Sequence, residues 1–337
     1  MAIVAATARL LDPADWLRRR WLRVLGPIAR PLMIDREVRV AAVASLAILS
    51  ATAASLFIPL WLLAIGPIVW GVPHLLADLR YLVVGPGYHR RPLLALVCAP
   101  PIAAVGFGAD LSVGLLAAAG AALLARASEA RRLVALVAIG ALAAGVLWAG
   151  RTADLIFAHL HNFIAVALWW AWRPRGRLHW IPLALFLGVS ILLMSSAGVA
   201  LIHAGAGLGR EIGLLGVDYQ LRRLAGDVEL TLGLRLVVLF AFTQSIHYVI
   251  WLQLIPDDDR RRATPPTFAR SYRELCRDLG APVVLGAAAL CLFFAVWAVF
   301  DLMDAGHGYF RLARFHGHLE VTAAVLLLLE GRRPWSR

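Results

Sequence analysis

The sequence predicts an all-α membrane protein, a polytopic bundle of about ten transmembrane helices with both termini on the cytoplasmic side. Three observations predict this fold. Of the 337 residues, 61% are hydrophobic and the mean hydropathy is +0.76, whereas soluble domains average roughly 45–50% apolar residues. The apolar residues form runs close to the ~20 residues that cross a bilayer. The 33 basic residues are all arginine and fall mostly between those runs.

Ten apolar runs are predicted as spans, with ends uncertain by several residues. They cover 39–60, 62–84, 92–109, 111–126, 132–149, 154–172, 180–203, 233–255, 281–303 and 311–330. The third and fourth runs are short, so a hairpin or a re-entrant pair is the alternative for them.

The arginine distribution predicts the orientation. With the N-terminus inside, the Arg-rich segments, among them a loop over 256–280, all fall on the cytoplasmic side, as the positive-inside rule requires. The outer turns are poor in arginine, except for a longer periplasmic loop over 204–232 that can carry a short helix covering a site. We therefore expect a multi-pass protein of the bacterial inner membrane.

The remaining segments complete the domain organisation around a transmembrane domain of 39–330. Residues 1–38 are predicted as an amphipathic cytoplasmic or interfacial segment, because Trp16, Leu17 and Trp21 alternate with arginines. Residues 331–337 form a C-terminal tail. The net charge of +12 is interpreted as topology signalling and attraction to anionic lipids rather than to nucleic acid.

Histidines are the informative feature of the spans. Seven of the ten fall within or at the ends of predicted helices, and most of them lie toward the outer half. They are His74, His159, His161, His203, His247, His316 and His318. Titratable groups at membrane depth are costly and mark function, so we predict these seven as metal ligands or as neighbours of ligands.

Helical spacing pairs two of these histidines with acids. His74 and Asp78 are four residues apart and share a helix face, and His316 and Glu320 repeat the pattern. A carboxylate one turn from an imidazole can bind the ion or orient a ligand, so Asp78 and Glu320 are predicted as catalytic residues. His159 and His161 point about 200° apart, so both reach one site only if the helix is distorted or one acts indirectly.

Imidazole and carboxylate ligands suit iron, zinc or copper. Neither HExxH nor HxxEH occurs, which disfavours a zinc hydrolase. Iron is the expected cofactor, because open coordination positions in an apolar surround fit oxygenation of a lipophilic substrate that enters from the bilayer. A b-type haem leaves no sequence mark, and the same His and acid residues also fit a proton-coupled transporter. A membrane anchor or assembly factor is a fourth possibility.

Three motifs resemble those of the Brp/Blh family, multispan bacterial membrane proteins that cleave β-carotene to retinal with iron held by membrane histidines. They are "GVPHLLADLRY", "QSIHYVIWLQLIP" and "FHGHLE", about a tenth of the chain. Gly71, Pro73 and His74 match the family's early motif. The resemblance implies that His74 is an iron ligand, that the protein is a membrane dioxygenase, and that a carotenoid is a candidate substrate.

Overall fold

The computed structural model describes residues 2–209 and 216–331 of the chain. All regular secondary structure within these residues is helical, which confirms the predicted all-α class. Residues 210–215 of the predicted outer loop and residues 332–337 of the predicted tail lie outside the described part.

Sixteen α-helices occur in the described residues. They are α1 (Ala2–Arg9), α2 (Asp12–Ile34), α3 (Arg36–Phe57), α4 (Pro59–Asp78), α5 (Pro92–Gly106), α6 (Leu111–Leu124), α7 (Glu129–Ala149), α8 (Arg151–Trp172), α9 (Trp180–Met194), α10 (Ser196–Gly205), α11 (Val217–Leu224), α12 (Leu230–Val249), α13 (Ile255–Asp259), α14 (Phe268–Leu279), α15 (Ala281–Phe300) and α16 (Leu302–Glu330). Two π-helical segments, Leu79–Val84 and Ile250–Leu254, continue α4 and α12 without a break.

Eight helical stretches among the described residues are long and apolar enough to cross a membrane. They are Arg36–Phe57, Pro59–Val84, Glu129–Ala149, Arg151–Trp172, Arg177–Met194, Leu230–Asp259, Ala281–Phe300 and Leu302–Glu330. This protein is therefore a membrane helix bundle, and eight of the ten predicted spans correspond to such a stretch.

The other two predicted spans, 92–109 and 111–126, correspond to the shorter helices α5 and α6. These helices have 15 and 14 residues and extend only about 21–23 Å at ~1.5 Å per residue, against a hydrocarbon core of about 30 Å. They pack against each other and against α16. That arrangement favours the hairpin alternative over two full spans.

The predicted span 180–203 is divided in two. Ser195 has an extended backbone between α9 and α10, and its hydroxyl accepts a hydrogen bond from the Gly198 N–H. A serine in this position satisfies a free donor at the start of a helix. The second piece, α10, is therefore a separate helix of ten residues.

Helix α12 lies at the centre of the bundle. Its span is the most buried of the eight, whereas the span of α7 is not buried at all. Helix α12 packs against α3, α4, α8 and α9, and α16 packs against α4 and α8. The four helices α4, α8, α12 and α16 therefore enclose a common space.

The N-terminal helix α2 presents its apolar side chains outward. Trp16, Leu17 and Trp21 are about half exposed, as expected of a helix that lies on a membrane surface. The helix bends at Gly26, whose φ of +47° is followed by Pro27. The carboxylate of Asp15, on the opposite face, accepts hydrogen bonds from the first backbone N–H groups of α14.

A group of ion pairs closes the end of the bundle that was predicted to face the cytoplasm. Arg39 donates two hydrogen bonds to Asp257 at 2.6 and 2.8 Å, and Arg175 donates to Asp258 at 2.6 Å. Both aspartates are buried. The loop predicted over 256–280 therefore begins inside the bundle, and the helix α14 occupies its later half.

Candidate metal centre

Four imidazoles meet in the enclosed space, one from each of the surrounding helices. His74 comes from α4, His161 from α8, His247 from α12 and His316 from α16. The ring centroid of His74 lies 5.3 Å from that of His247 and 4.9 Å from that of His316. The His161 centroid lies 5.2 Å from both of the same two rings, which are 5.6 Å from each other.

Three of these histidines form a possible metal-binding group. One ring nitrogen each of His74, His247 and His316 lies within 4.8 Å of the other two. Nitrogen ligands that bind one ion at ~2.1 Å lie roughly 3 Å apart. Small rotations of the rings would therefore bring the three nitrogens onto an ion.

The hydrogen bonds of the His74 and His316 rings use Nδ1 and leave Nε2 free to bind an ion. Nδ1 of His74 lies 3.3 Å from the Trp70 carbonyl oxygen, and Nδ1 of His316 contacts the Ala313 carbonyl oxygen. A carbonyl accepts only from a protonated nitrogen, so each Nε2 carries a lone pair. Both of these Nε2 atoms, and both ring nitrogens of His247, are buried without a hydrogen-bond partner.

Buried nitrogens without partners are rare and need an explanation. A bound ion supplies one, because metal ligation uses these lone pairs, and a ligating histidine usually donates its other N–H to a carbonyl or carboxylate. The residues present therefore fit a metal ion held by imidazoles.

Two of the histidines, His74 and His247, lie next to irregular segments of their helices. Pro73 lies directly before His74 in α4, and the π-helical segment Leu79–Val84 begins one turn later. A second π-helical segment, Ile250–Leu254, follows His247 closely. Such segments insert an extra residue into a helix and occur often at functional sites.

The two predicted acids are fully buried, and Glu320 lies beside one of the imidazoles. Glu320 Oε1 accepts a hydrogen bond from the Trp251 indole at 2.8 Å and lies 3.6 Å from His247 Nε2. Glu320 thus stands against His247 rather than His316, with which its spacing had paired it. Neither carboxylate oxygen of Asp78 has a hydrogen-bond partner.

A cavity of about 780 Å³ connects the imidazoles to one end of the bundle. All four imidazoles of the cluster line it, together with apolar groups that include Phe157, Phe240 and Phe310. Exposed residues at the start of α8 and α16 line its mouth. The cavity lies at the end predicted to face the periplasm, as the positions of the histidines had indicated.

The structure does not bring the other three predicted ligands into the group. His159 Nε2 is bonded to the Leu224 carbonyl at 2.8 Å and its ring packs on Phe240. His318 lines the cavity but stacks on Phe157 at 4.9 Å. His203 is exposed on α10. Helix α8 is regular here, so only His161 of its pair faces the cluster.

Glycines allow close packing near the cluster. A Cβ atom at Gly317 would lie 3.0 Å from the Phe157 ring, so the glycine lets that ring lie close to the backbone of α16. A Cβ atom at Gly71 would lie 2.3 Å from the Tyr309 ring. Alanine at position 71 would therefore displace that ring.

Sequence reasoning missed two groups that border the site. Tyr248 lies 4.9 Å from the His74 ring, although it follows His247 directly in the chain. Neighbouring residues point about 100° apart on a helix, so a search for one face excludes one of them. Arg223 was also missed, because the sequence did not show how close the 204–232 loop that contains it lies to the histidines.

Comparison of the chain with protein-family models, curated proteins and solved structures found no match.

Proposed function

We propose that this protein is a membrane metalloenzyme in which His74, His247 and His316 bind an iron ion. The observation that carries the proposal is the meeting of three imidazoles, each with at least one buried ring nitrogen that lacks a hydrogen-bond partner. One ring nitrogen of each lies within 4.8 Å of one from each of the other two. His161, in ring contact with two of them, is the fourth candidate ligand.

Iron is proposed over zinc and copper because of the surroundings. Imidazole suits all three metals, but an ion at the inner end of a largely apolar cavity fits the oxygenation of a lipophilic substrate, for which iron is suited. When bound, iron would supply activation of dioxygen. Glu320 would orient His247, and Asp78 supplies a carboxylate one turn from His74 that can hold a proton.

The cavity supports a lipophilic substrate. Its walls are largely apolar and it reaches the four imidazoles, so an alkyl or isoprenoid chain can be held against them with water excluded. We propose an oxygenase or desaturase acting on such a chain. A carotenoid is one candidate, on the strength of the Brp/Blh resemblance.

The packing of the rings favours a bare ion over haem. The centroids of four histidine pairs lie 4.9–5.3 Å apart, and the rings meet edge to face with no slot for a porphyrin between them. Proton-coupled transport is the second candidate function, because Asp78 and Glu320 are fully buried acids with unpaired oxygens. Intramembrane acids of this kind also serve in proton relays.

We further propose that the protein lies in the bacterial cytoplasmic membrane with both termini in the cytoplasm. Treating α5 and α6 as a hairpin does not change this orientation, because a hairpin returns the chain to its starting side. The arginine-rich ends and the ion-paired Asp257 and Asp258 then face the cytoplasm, and the cavity mouth faces the periplasm.

The deciding experiment is elemental mass spectrometry of the purified full-length protein, with a visible spectrum of the same sample. We expect near-stoichiometric iron and no Soret band. The double variant His74→Ala with His247→Ala should lose the metal, whereas the exposed control His203→Ala should retain it. Thermal unfolding of each variant separates loss of ligands from loss of fold.

Three outcomes would contradict the proposal. Equal metal content in the double variant and the wild type would show that the ion is bound elsewhere. A Soret band would require haem, and metal-free protein prepared without chelators would turn the search toward transport.

A further inference from the structure

The mouth of the cavity is strongly basic. Of the described residues that line the cavity, five are arginines and only one, Asp154, is an acid. The arginines are Arg151, Arg222, Arg223, Arg311 and Arg314. Elsewhere in the bundle, buried arginines are paired with carboxylates, as Arg39 is with Asp257. Among the described residues, none of the five mouth arginines forms such an ion pair.

Arg223 is the most enclosed of these cations. It is only partly exposed, and its guanidinium carbon lies 3.6 Å from the centre of the Phe310 ring. Burial lowers the pKa of this guanidinium below its usual range, yet arginine remains charged in proteins. Contact with an aromatic face is favourable for a cation. The guanidinium also donates a hydrogen bond to the Tyr219 side chain, but it carries five N–H donors, more than this one bond uses.

The same cavity joins this cation to the imidazoles. Phe310 and His316 both lie on α16, separated by about 9 Å along the helix at ~1.5 Å per residue. The Phe157 and Phe240 rings also line the cavity. A ligand that fills the cavity therefore meets positive charge at the mouth, apolar rings in the middle and the metal group at the inner end.

We propose that the cavity binds an amphipathic anion, a long apolar chain with one carboxylate or phosphate head group, whose head is held by Arg223. Arg222 and Arg314 add positive charge beside the same position. This inference rests on the proposed function for the role of the inner end, and it narrows the substrate class. An acidic lipid fits the cavity better than a neutral hydrocarbon such as a carotene.

The test measures binding of radiolabelled palmitate to the full-length protein in a neutral maltoside detergent. We expect hexadecyl phosphate to compete and hexadecanol and inorganic phosphate to compete at least about tenfold less well, because charged hydrogen bonds and chain burial both contribute. Arg223→Gln should weaken palmitate binding roughly tenfold or more. The exposed control Arg19→Gln makes the same charge change away from the cavity and should have no effect.

Salt provides a measurement that does not depend on a variant folding. Raising the ionic strength should weaken palmitate binding to the wild type, since interactions with partly exposed charges are screened, and should leave hexadecanol binding unchanged. Equal binding of hexadecanol and palmitate, or palmitate binding indifferent to both salt and Arg223→Gln, would overturn the proposal. Competition by inorganic phosphate as strong as that by hexadecyl phosphate would show a site for free anions and overturn it too.

The variant with His74→Ala and His247→Ala separates this inference from the metal proposal. Retained palmitate binding in that metal-free variant, still dependent on Arg223, would support the anion site by itself. Arg223-dependent binding in a wild-type protein that never contains metal would leave the anion site standing and remove the proposed oxygenase.

Discussion

Among single residues, Glu320 is the acid most tightly built into the imidazole cluster. It is fully buried, it accepts a hydrogen bond from Trp251, and one of its oxygens lies 3.6 Å from His247. Its other oxygen has no partner. Its position is that of a carboxylate which orients a metal-ligating imidazole.

Glu320→Gln tests the carboxyl group beside His247. The variant keeps the shape and an oxygen that can accept from Trp251, but it replaces the ionisable carboxyl with a neutral amide. Because carboxylates that orient ligands typically contribute 10- to 100-fold to metal affinity, we expect a loss of that size with little change in melting temperature. Competition with a metal-binding dye measures the affinity. An unchanged affinity would show that Glu320 does not act on the ligand.

The matched variant Trp251→Phe tests the hydrogen bond itself. It keeps an aromatic ring and leaves Glu320 Oε1 without its donor. We expect the free energy of unfolding to fall by about 1–3 kcal/mol, measured by denaturant unfolding in detergent. A variant as stable as the wild type would mean that another group or a water replaces the indole.

The sequence predicts which residues lie in the site better than it predicts which side chains they contact there. The four-residue spacing within each pair correctly predicted that His74, Asp78, His316 and Glu320 lie in the interior. It could not show that Glu320 would face His247, because that depends on how α16 is rotated against α12. It likewise left open which of His159 and His161 turns inward, since two positions on one helix differ only in the neighbours they meet.

Among the elements, α3 and α13 are joined by the ion pair between Arg39 and Asp257. Both side chains are almost completely buried. Asp257→Asn would leave the Arg39 charge without its partner, and breaking a buried pair costs about 3–5 kcal/mol. We expect a loss of that order in the free energy of unfolding. Glu129→Gln is the control, because the Glu129 side chain, which pairs with Arg132, is 96% exposed. This substitution should change the free energy of unfolding by less than ~0.5 kcal/mol.

The contact between α2 and α14 should depend on pH. Asp15 accepts hydrogen bonds from the N–H groups of Phe268 and Ala269. Burial acts to raise the pKa of the Asp15 carboxyl, but these donors outweigh it and hold the pKa below its usual range. The stabilisation is therefore complete above the unfolded pKa of ~3.9 and is lost as the pH falls through the lower folded value.

Limited proteolysis of the 260–268 segment between about pH 7 and pH 3 measures this effect. We expect cleavage in the wild type to increase below about pH 4. Asp15→Ala, which removes the cap, should be cleaved more readily throughout and show a smaller change with pH. Parallel profiles for the two proteins would contradict the role of Asp15.

The spans show where the sequence predicts elements well and where it does not. Eight of the ten predicted runs correspond to helices long and apolar enough to cross a bilayer, because a span requires a minimum number of apolar residues. Apolar length could not decide between two spans and a hairpin for α5 and α6, since their composition is equally apolar in both cases. The break at Ser195 was also missed, because a single hydroxyl that caps a helix does not lower the apolar average.

For the whole molecule, the proposed orientation predicts which surfaces an impermeant reagent can reach. In a background with Cys98, Cys276 and Cys291 replaced by serine, Asp218→Cys at the cavity end should react with an impermeant maleimide in intact cells. Arg270→Cys on α14 should react only after the membrane is opened. The reverse pattern would invert the topology.

The one-ended cavity also bears on how the protein would be metallated. Its mouth is lined by exposed residues such as Arg151 and Arg314, while Glu320, which lies beside His247 near the inner end, is fully buried. An ion would enter from the compartment that the mouth faces, after the chain has been inserted. Copper and zinc bind such nitrogen ligands more tightly than iron does. The supply of metals in that compartment, rather than the preference of the ligands, would then decide which ion the cluster holds.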